Sequence, residues 1–399
     1  MRKIKLLIIV ILLFSTSGCW NYYELNEIAI CTGMAIDKTD DGYEITYLIS
    51  NAPKQETSYK EGQAGVTSYS GKGKTLVAAN QDIALKMPMH PYHGHLLVVI
   101  VSEDVAKDGI EDVLDLMLRA AESRKNFYLI LSKDSKAKDI LQILSPLDSF
   151  PSNTIASDIE SIKNDSAMVY EISYNDFISK FLSNGIEPVL NAVTVLGDVD
   201  KGSDEKSLGK TTPSANIKLK ELGVFKNDKL LGWLSDDETQ GINTINNKVS
   251  RIFIEVECDD NKKVTTSITN LSAKKTLEIN SQDDINVYID IKGSASIIET
   301  NCKIDLEDNE QIYEIEKKTN KKFKKIINKG IDRVQKDFKS DIIGIGNLIY
   351  KKKPKLWESI NKDWNDNFFP NINFKVNINI EINNKGSLEQ SLEVEKDEI

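Results

Sequence analysis

The chain has little of the side-chain chemistry on which metal and redox enzymes depend. Its 399 residues include four cysteines and three histidines, and no two cysteines stand in a Cys-x-x-Cys pair. This excludes ribbon-type zinc sites and thioredoxin-like redox chemistry. The sequence also lacks Gly-x-Ser-x-Gly, His-Glu-x-x-His and Walker phosphate-loop motifs. Their absence removes the usual signatures of serine hydrolases, zinc proteases and nucleotide-binding enzymes.

Positive charge and long apolar runs are also scarce. The chain carries 51 Lys and Arg against 61 Asp and Glu, a net charge of −10, so we expect no nucleic-acid partner. No segment reaches the roughly 18 consecutive apolar residues of a membrane-spanning helix. With 40% apolar and 28% charged residues, the composition is that of a globular protein, and the length predicts two or three domains.

The first 18 residues have the pattern of a lipoprotein signal peptide. Basic residues precede an apolar stretch from Ile4 to Phe14, and small residues lead to Cys19. In such signals the cysteine thiol receives a diacylglycerol and cleavage occurs just before it, which predicts Cys19 as the lipid attachment site. Thr16 stands where leucine is usual, and the alternative is an ordinary secretory signal followed by an incidental cysteine.

The rest of the chain predicts an α+β fold of three mixed α/β domains in an elongated arrangement, each a small sheet with flanking helices. In the first domain, residues 19–145, short apolar runs at 96–101 and 127–131 flank a helical pattern, which predicts parallel strands joined by a helix. In the middle domain, residues 146–249, the segment 146–174 is polar with scattered apolar positions, and we assign no helix or strand to it. A hairpin is predicted at 221–234, with its turn at Asn227-Asp228 and with Val224, Leu231 and Trp233 facing inward.

The C-terminal domain, residues 250–399, shows a different pattern. Apolar residues alternate with polar ones at 252–258, 285–291 and 372–382, which predicts antiparallel-type strands with one face in water. A helical pattern predicts a long helix at about 311–339. Cys258 and Cys302 belong to this domain, and the sequence leaves open whether they form a disulfide or pack as free thiols.

The three histidines form the strongest candidate for a metal site. His90, His93 and His95 lie in Met-His-Pro-Tyr-His-Gly-His, but Pro91 and Gly94 indicate a turn, and no acidic residue lies within the cluster. The alternative is a turn that leads into a buried strand, and we adopt it. We therefore predict no metal, no cofactor and no catalytic residue.

A lysine-rich segment interrupts the acidic character of the chain. Residues 311–360 contain 14 Lys and Arg against 6 Asp and Glu. Two interpretations of the lysines at 317–355 stay open: the solvated face of a long helix, or a surface for anionic lipid headgroups or an acidic partner. The run Lys351-Lys352-Lys353-Pro354-Lys355 favours the second, because a tight cluster in a loop between helices is not explained by helix solvation.

Several stretches together resemble the Ger(x)C spore germination lipoproteins. They run in order along the whole chain: residues 19–29 and 32–37, the segment 94–124, the hairpin with Glu238 to Gly241, and the last group Asp341, Gly344, Gly346, Pro354, Trp357 and Trp364. Asn21, Tyr22 and Tyr23 stand where the family usually has aspartate and arginine.

The resemblance implies a non-catalytic C subunit of a nutrient germinant receptor. Such a subunit would be anchored by lipid to the outer face of the bacterial spore inner membrane, beside the integral membrane A and B subunits. It would be required for germination through assembly with them. The alternative function is a lipid-anchored extracytoplasmic solute-binding protein, which would need two similar lobes around a cleft. An anchored cell-wall hydrolase is a third possibility, for which only the histidines offer a centre.

Overall fold

The computed structural model describes residues 23–384 apart from residues 25, 52–64, 121, 149, 259–261 and 283. These residues form two β-sheets with helices packed against them, which confirms the mixed α/β class. The signal peptide at residues 1–18 and the predicted lipid attachment site Cys19 lie outside the described residues, so both stay predictions.

The first sheet has nine strands, and its centre is parallel. Its order is β3-β2-β1-β5-β6-β7-β8-β9, and β4 pairs with the start of β1. β1, β5, β6 and β7 run in the same direction. The bounds are β1 Ile28–Thr39, β2 Gly42–Ser50, β3 Val66–Gly73, β4 His90–Tyr92, β5 Val98–Ser102, β6 Tyr128–Ser132, β7 Val189–Gly197, β8 Ala215–Lys226 and β9 Lys229–Leu234.

Helices cover both faces of this sheet. They are α1 Leu76–Ala84, α2 Glu103–Asp108, α3 Glu111–Arg119, α4 Ala137–Gln142, α5 Pro151–Asp165, α6 Tyr174–Phe181, α7 Val199–Gly202 and α8 Asp236–Ile245. Because both faces are covered, all five residues of β5 are buried, which explains why this strand is a continuous apolar run. The predicted strand–helix–strand unit β5–α3–β6 is present, and its strands are parallel.

The segment 146–174, to which the sequence assigned no element, contains α5 at residues 151–165. Among the described apolar side chains of this helix, Ile155 and Ile159, one turn apart, are fully buried, and Ser152 is buried with them. Its apolar stripe is therefore narrow. A single pair at i, i+4 among polar residues is a weak helical signal.

The second sheet has four strands in the order β10-β11-β12-β13. The strands are β10 Arg251–Glu257, β11 Lys263–Ile279, β12 Ile285–Thr300 and β13 Asn373–Asn384, and the helices are α9 Asn309–Asp332, α10 Ile345–Lys352 and α11 Pro354–Ile360. β10 alternates strictly between exposed and buried residues, as expected for a sheet with one face in water. The long helix is confirmed as α9, which ends before a π-helical turn at Arg333–Asp337.

One strand pair in the second sheet differs from the expectation. β13 pairs with β12 in parallel, from Asn286 opposite Asn373 to Ser296 opposite Asn384. The antiparallel expectation was wrong for this pair because three helices lie between the two strands and return the chain to the starting end of the sheet. Alternation along β13 reveals one wet face but carries no information about direction.

The expected boundary between the first two domains falls inside one sheet. Leu131 of β6 pairs with Ala192 of β7, so strands before and after residue 145 share backbone hydrogen bonds. The division of the chain into three domains stays a prediction. The hairpin is confirmed, since Lys226 of β8 pairs with Lys229 of β9.

The structure shows which leucine of β9 faces the core and whether Cys258 and Cys302 are bonded. Leu231 is 40% exposed, and the inward-facing leucine of β9 is Leu230, so the predicted orientation was wrong by one residue. Adjacent leucines on a strand face opposite sides, and the sequence does not say which one faces the core. Cys258 and Cys302 form a disulfide, whose Cα atoms are 6.4 Å apart.

Candidate functional site at the junction of the two sheets

A buried carboxylate with four hydrogen bonds lies where the two sheets meet. Asp341 is fully buried, and its carboxylate accepts four hydrogen bonds. The backbone N–H groups of Gly344, Ile345 and Gly346 donate at 2.7, 3.1 and 2.7 Å. The indole Nε1 of Trp364 donates at 3.0 Å. Burial raises the pKa of the Asp341 carboxyl, and the four hydrogen bonds oppose this rise because they favour the ionised form.

The local backbone explains how Asp341 collects these donors. The N–H groups come from the first turn of α10, whose unpaired donors and positive dipole end favour a carboxylate. Gly344 precedes the helix with φ at +82°, a left-handed conformation that glycine adopts without strain. The sequence Asp-x-x-Gly-x-Gly therefore turns the chain back over its own aspartate.

The loop before β7 of the first sheet packs directly against this turn. The backbone N–H of Asn347 donates to the carbonyl of Gly185 at 2.7 Å, and the Asn347 side chain donates to the carbonyl of Asn184 at 2.8 Å. A Cβ atom on Gly185 would lie 2.4 Å from the carbonyl carbon of Gly346. The two glycines therefore allow the backbones of the two sheets' connecting segments to touch.

A second set of polar contacts links the same elements. The Glu187 N–H donates to the Asp341 carbonyl at 2.9 Å, and its carboxylate accepts from the Asn365 amide at 2.6 Å and from the Asn227 N–H at 2.8 Å. Burial raises the pKa of the Glu187 carboxyl. Because Asn227 is in the hairpin turn, this carboxylate connects three separate segments of the chain.

Lys275 completes the junction from the four-stranded sheet. Its ammonium donates to the Asn246 side chain at 3.0 Å and to the carbonyl of Ile343 at 2.9 Å. Burial lowers the pKa of Lys275 to about 8, and the nearby Asp341 carboxylate opposes this shift. Asn246, at the end of α8, also donates to the Ile342 carbonyl at 3.1 Å.

The junction, defined by Glu187, Lys275, Asp341 and Trp364, has the chemistry of a fixed contact. Each of the three charged groups is already bonded to the protein, and the Asp341 carboxylate meets four donors with two oxygens. Buried polar networks with every member bonded hold one arrangement of the surrounding elements. The arrangement is therefore suited to keep the two sheets in one relative position.

The three histidines occupy separate environments. His90 stacks on Tyr23 with 4.5 Å between ring centroids, and its Nε2 lies 3.5 Å from Glu122. His93 packs edge-on against Tyr47, and burial lowers the pKa of its imidazole to about 4. His95 is exposed and lies beside Tyr92. Within the described ranges, no three His, Cys, Asp or Glu side chains are grouped so that they would hold a metal ion.

The other residues singled out by the sequence lie around the junction. Trp357 and Trp364 contact each other edge-on at 5.5 Å between centroids, next to Gly185 and Gly346. Trp233 is half-buried, donates from Nε1 to Glu103 at 3.1 Å and lies under the Lys133 ammonium.

In the part of the chain that the structure describes, no helix is both long and apolar enough to cross a bilayer.

In the sequence, Asp341, Gly344, Gly346 and the two tryptophans stand out only as part of a family resemblance, without a role. Glu187 and Lys275 do not stand out at all. The available signal was Asp-x-x-Gly-x-Gly before a helical pattern, which is an arrangement in which a carboxylate caps the following helix. No sequence signal connects this motif with residues 185–187, which are more than 150 positions away.

The fold and the junction together define a mixed α/β protein whose two sheets are locked in contact. Comparison with known proteins extends this. A family model described as "Spore germination protein N-terminal domain" matches residues 21–195, and one described as "Spore germination B3/ GerAC like, C-terminal" matches residues 220–386. The chain belongs to the Ger(x)C family of spore germination proteins.

Relatives match over nearly their full length. Spore germination protein KC of Bacillus subtilis (strain 168) is 29% identical, with 96% of each chain covered. Spore germination protein B3 of the same organism is 23% identical, with 96% of this chain and 98% of the relative covered. The crystal structure of the GerBC protein superimposes with a TM-score of 0.54 at 20% identity, covering 88% of this chain and 97% of the other. That likeness supports the fold.

Proposed function

We propose that this protein is a lipid-anchored, non-catalytic subunit of a nutrient germinant receptor, and that it acts by assembly with the integral membrane A and B subunits. The observation that carries the proposal is the match of two spore germination family models, in order, to the two halves of the chain. The junction supports a role in assembly, because it fixes the relative position of two sheets and so presents one surface to a partner.

Membrane attachment is assigned to Cys19. One acyl chain holds a protein at a membrane only marginally, so two chains on one cysteine are needed for stable retention. Tethering also raises the local concentration near membrane partners to the order of millimolar, at which weak interfaces suffice. The anchor would therefore keep the subunit beside the integral membrane subunits.

The anchor is tested by labelling with a radioactive fatty acid and by fractionation. Cys19→Ala is expected to remove the label and to leave the protein soluble or unprocessed. Cys31→Ala is the matched control, since Cys31 is a free cysteine buried in β1, and it is expected to keep both label and location. A Cys19→Ala protein that matured normally and stayed in the membrane fraction would refute the anchor.

Assembly is tested by affinity isolation from spore membranes and by germination assays. We expect the A and B subunits to co-purify. A deletion strain should respond poorly to its nutrient but germinate normally with a stimulus that bypasses the nutrient receptors. Replacing His90, His93 and His95 together should leave germination intact where the protein folds and binds its partners. Loss of germination in that folded, assembled variant would point to a metal centre instead.

A further inference from the structure

The described chain begins near the end of the nine-stranded sheet at which the parallel strands start; this end, and not an outermost strand, is what edge means below. The parallel strands β1, β5 and β6 begin at this edge, where Gly33, Val98 and Tyr128 lie side by side. β7 also begins at this edge. It is the third strand from β1 across the sheet, so the two strands are roughly 14 Å apart at the usual strand spacing. We call this the N-terminal edge. Tyr23 lies beyond it, stacked on His90 at the start of β4.

The lysine cluster at residues 351–355 is attached to the same edge. Lys351 and Lys352 end α10, Lys353 alone separates the helices, and Pro354 and Lys355 begin α11, so the expectation of a loop here was wrong; all five residues are exposed. Gly346 at the start of α10 and Trp357 in α11 both contact Gly185, in the loop that leads into β7 at the N-terminal edge. The cluster is therefore within about two helical turns, roughly 10 Å, of that loop.

The ammonium groups of this cluster make no polar contacts with other parts of the protein that the structure describes. Among the described residues, no ion pair or hydrogen bond involves the ammonium groups of Lys351, Lys352, Lys353 or Lys355. The lysines of α9 and of the π-helical turn after it differ in part, since Lys317, Lys329 and Lys336 each pair with an acidic side chain. Residues 345–363 hold five lysines and two acidic residues, so this surface is basic in a chain of net charge −10.

Exposed apolar side chains accompany the lysines at the N-terminal edge. Helices α1 and α3 return the chain to this edge, and they end beside Leu85 and Leu118, which are 87% and 50% exposed. Leu182, in the loop that contacts α10, is 71% exposed, and Tyr350 directly before the lysines is 42% exposed. Leucine, tyrosine and lysine together suit the boundary between lipid headgroups and acyl chains.

We propose that the N-terminal edge, with Lys351, Lys352, Lys353 and Lys355, is a docking surface for an anionic lipid bilayer. The inference rests on the proposed anchor at Cys19, because Cys19 precedes Tyr23 by only four residues. An extended chain of four residues spans at most about 14 Å, so an anchored protein has this edge close to the lipid. Each basic residue near an anionic surface increases partitioning about fivefold. The cluster would therefore set the orientation of the tethered protein.

The test uses the chain from Trp20 onward, which keeps every described residue but carries no acyl group. Partitioning is measured by co-sedimentation with vesicles of phosphatidylglycerol and phosphatidylcholine, and with phosphatidylcholine alone. We expect binding to the anionic vesicles that weakens with added salt. The triple variant Lys351→Gln/Lys352→Gln/Lys353→Gln should lower the partition coefficient on the order of a hundredfold.

The matched control is Lys321→Gln/Lys322→Gln/Lys324→Gln, which removes the same charge from exposed positions on α9. It should lower binding less than threefold. Equal loss in both variants, or equal binding of the unmodified chain to both vesicle types, would overturn the proposal. Absence of binding to either vesicle type would also overturn it and would favour an acidic protein partner. Because the test omits Cys19, failure here leaves the anchor and the germination role to be judged by their own assays.

Discussion

The two sheets bury their strands in different ways. In the nine-stranded sheet, helices cover both faces, so neighbouring residues of β5 such as Val99 and Ile100 are both fully buried. In the four-stranded sheet, α9 covers one face, so Ile291 of β12 is buried while Lys292 is exposed. The comparison teaches that the number of covered faces decides whether a strand appears in the sequence as a run or as an alternation.

A substitution at the junction between the two sheets should have the largest effect on the stability of the protein. Asp341→Ala leaves four donors without their acceptor in a buried site, and we expect a loss of about 3–5 kcal/mol in the free energy of unfolding. The control is Asp363→Ala, an exposed aspartate one residue before Trp364, which should cost less than about 0.5 kcal/mol. Urea unfolding measures both, and equal midpoints for the two variants would contradict the assigned role.

Substitutions at two neighbouring positions of one strand test whether one or both faces of each sheet are buried. Val99→Ala and Ile100→Ala should each destabilise the protein by about 2–4 kcal/mol, because both remove buried methyl groups. In the other sheet, Ile291→Ala should have an effect of the same size. Lys292→Ala should change stability by less than about 0.5 kcal/mol. Thermal unfolding of the four variants tests this, and a harmless substitution at either position of β5 would be the unexpected result.

Acid should weaken the two regions unequally, because all three histidines lie beside the nine-stranded sheet. Burial lowers the pKa of His93 to about 4, while His90 and Lys125 add to the shift and Glu122 opposes it. Between pH 6.5 and 4 the unfolded chain binds a proton here that the folded chain does not. Stability should therefore fall as the pH is lowered, by about 2 kcal/mol at pH 5 from this group.

The measurement is the pH dependence of unfolding in His93→Gln, compared with His95→Gln at an exposed position. The difference between wild type and His93→Gln should shrink from pH 7 to pH 5, whereas His95→Gln should follow the wild type throughout. Parallel curves for wild type and His93→Gln would show that His93 does not titrate as its burial requires.

The smallest effect concerns the hairpin at the end of the nine-stranded sheet. Trp233 is half-buried, so Trp233→Ala should cost about 2 kcal/mol, less than a fully buried tryptophan. Leu231→Ala, on a side chain that is 40% exposed, should cost less than about 0.5 kcal/mol. A melting temperature that fell equally in both variants would contradict the assigned facing of β9.

Much of the local structure was predictable because it depends on neighbours in the chain. Thr75 caps α1 by accepting from the Ala78 N–H, and the Asn227-Asp228 turn closes the hairpin, as local turn and cap chemistry requires. Helix α5 was missed because Ile155 and Ile159 are the fully buried apolar side chains that mark its inner face, and one such pair is a weak signal. Strand direction was missed at β13, since alternation is the same in parallel and antiparallel pairs.

The site was harder to predict than the elements that carry it. Asp341, Gly344 and Gly346 were visible as a motif, but the helix that follows them, α10, was not predicted. The partners Glu187 and Lys275 were not visible, because nothing in their own sequence neighbourhoods marks them as buried or paired. Their roles follow from contacts between segments that lie far apart in the chain, and a single sequence does not encode such contacts in any short-range pattern.

By itself, the sequence determined the α/β class, the hairpin, the long helix and the membership suggested by ordered motifs, because periodicity and turn chemistry act within a few residues. Only the tertiary structure decided that strands on both sides of residue 145 form one sheet and that β12 and β13 are parallel. It alone brought Glu187, Lys275 and Asp341 together. The physical reason is that burial and pairing of a polar group depend on which distant segments exclude water from it.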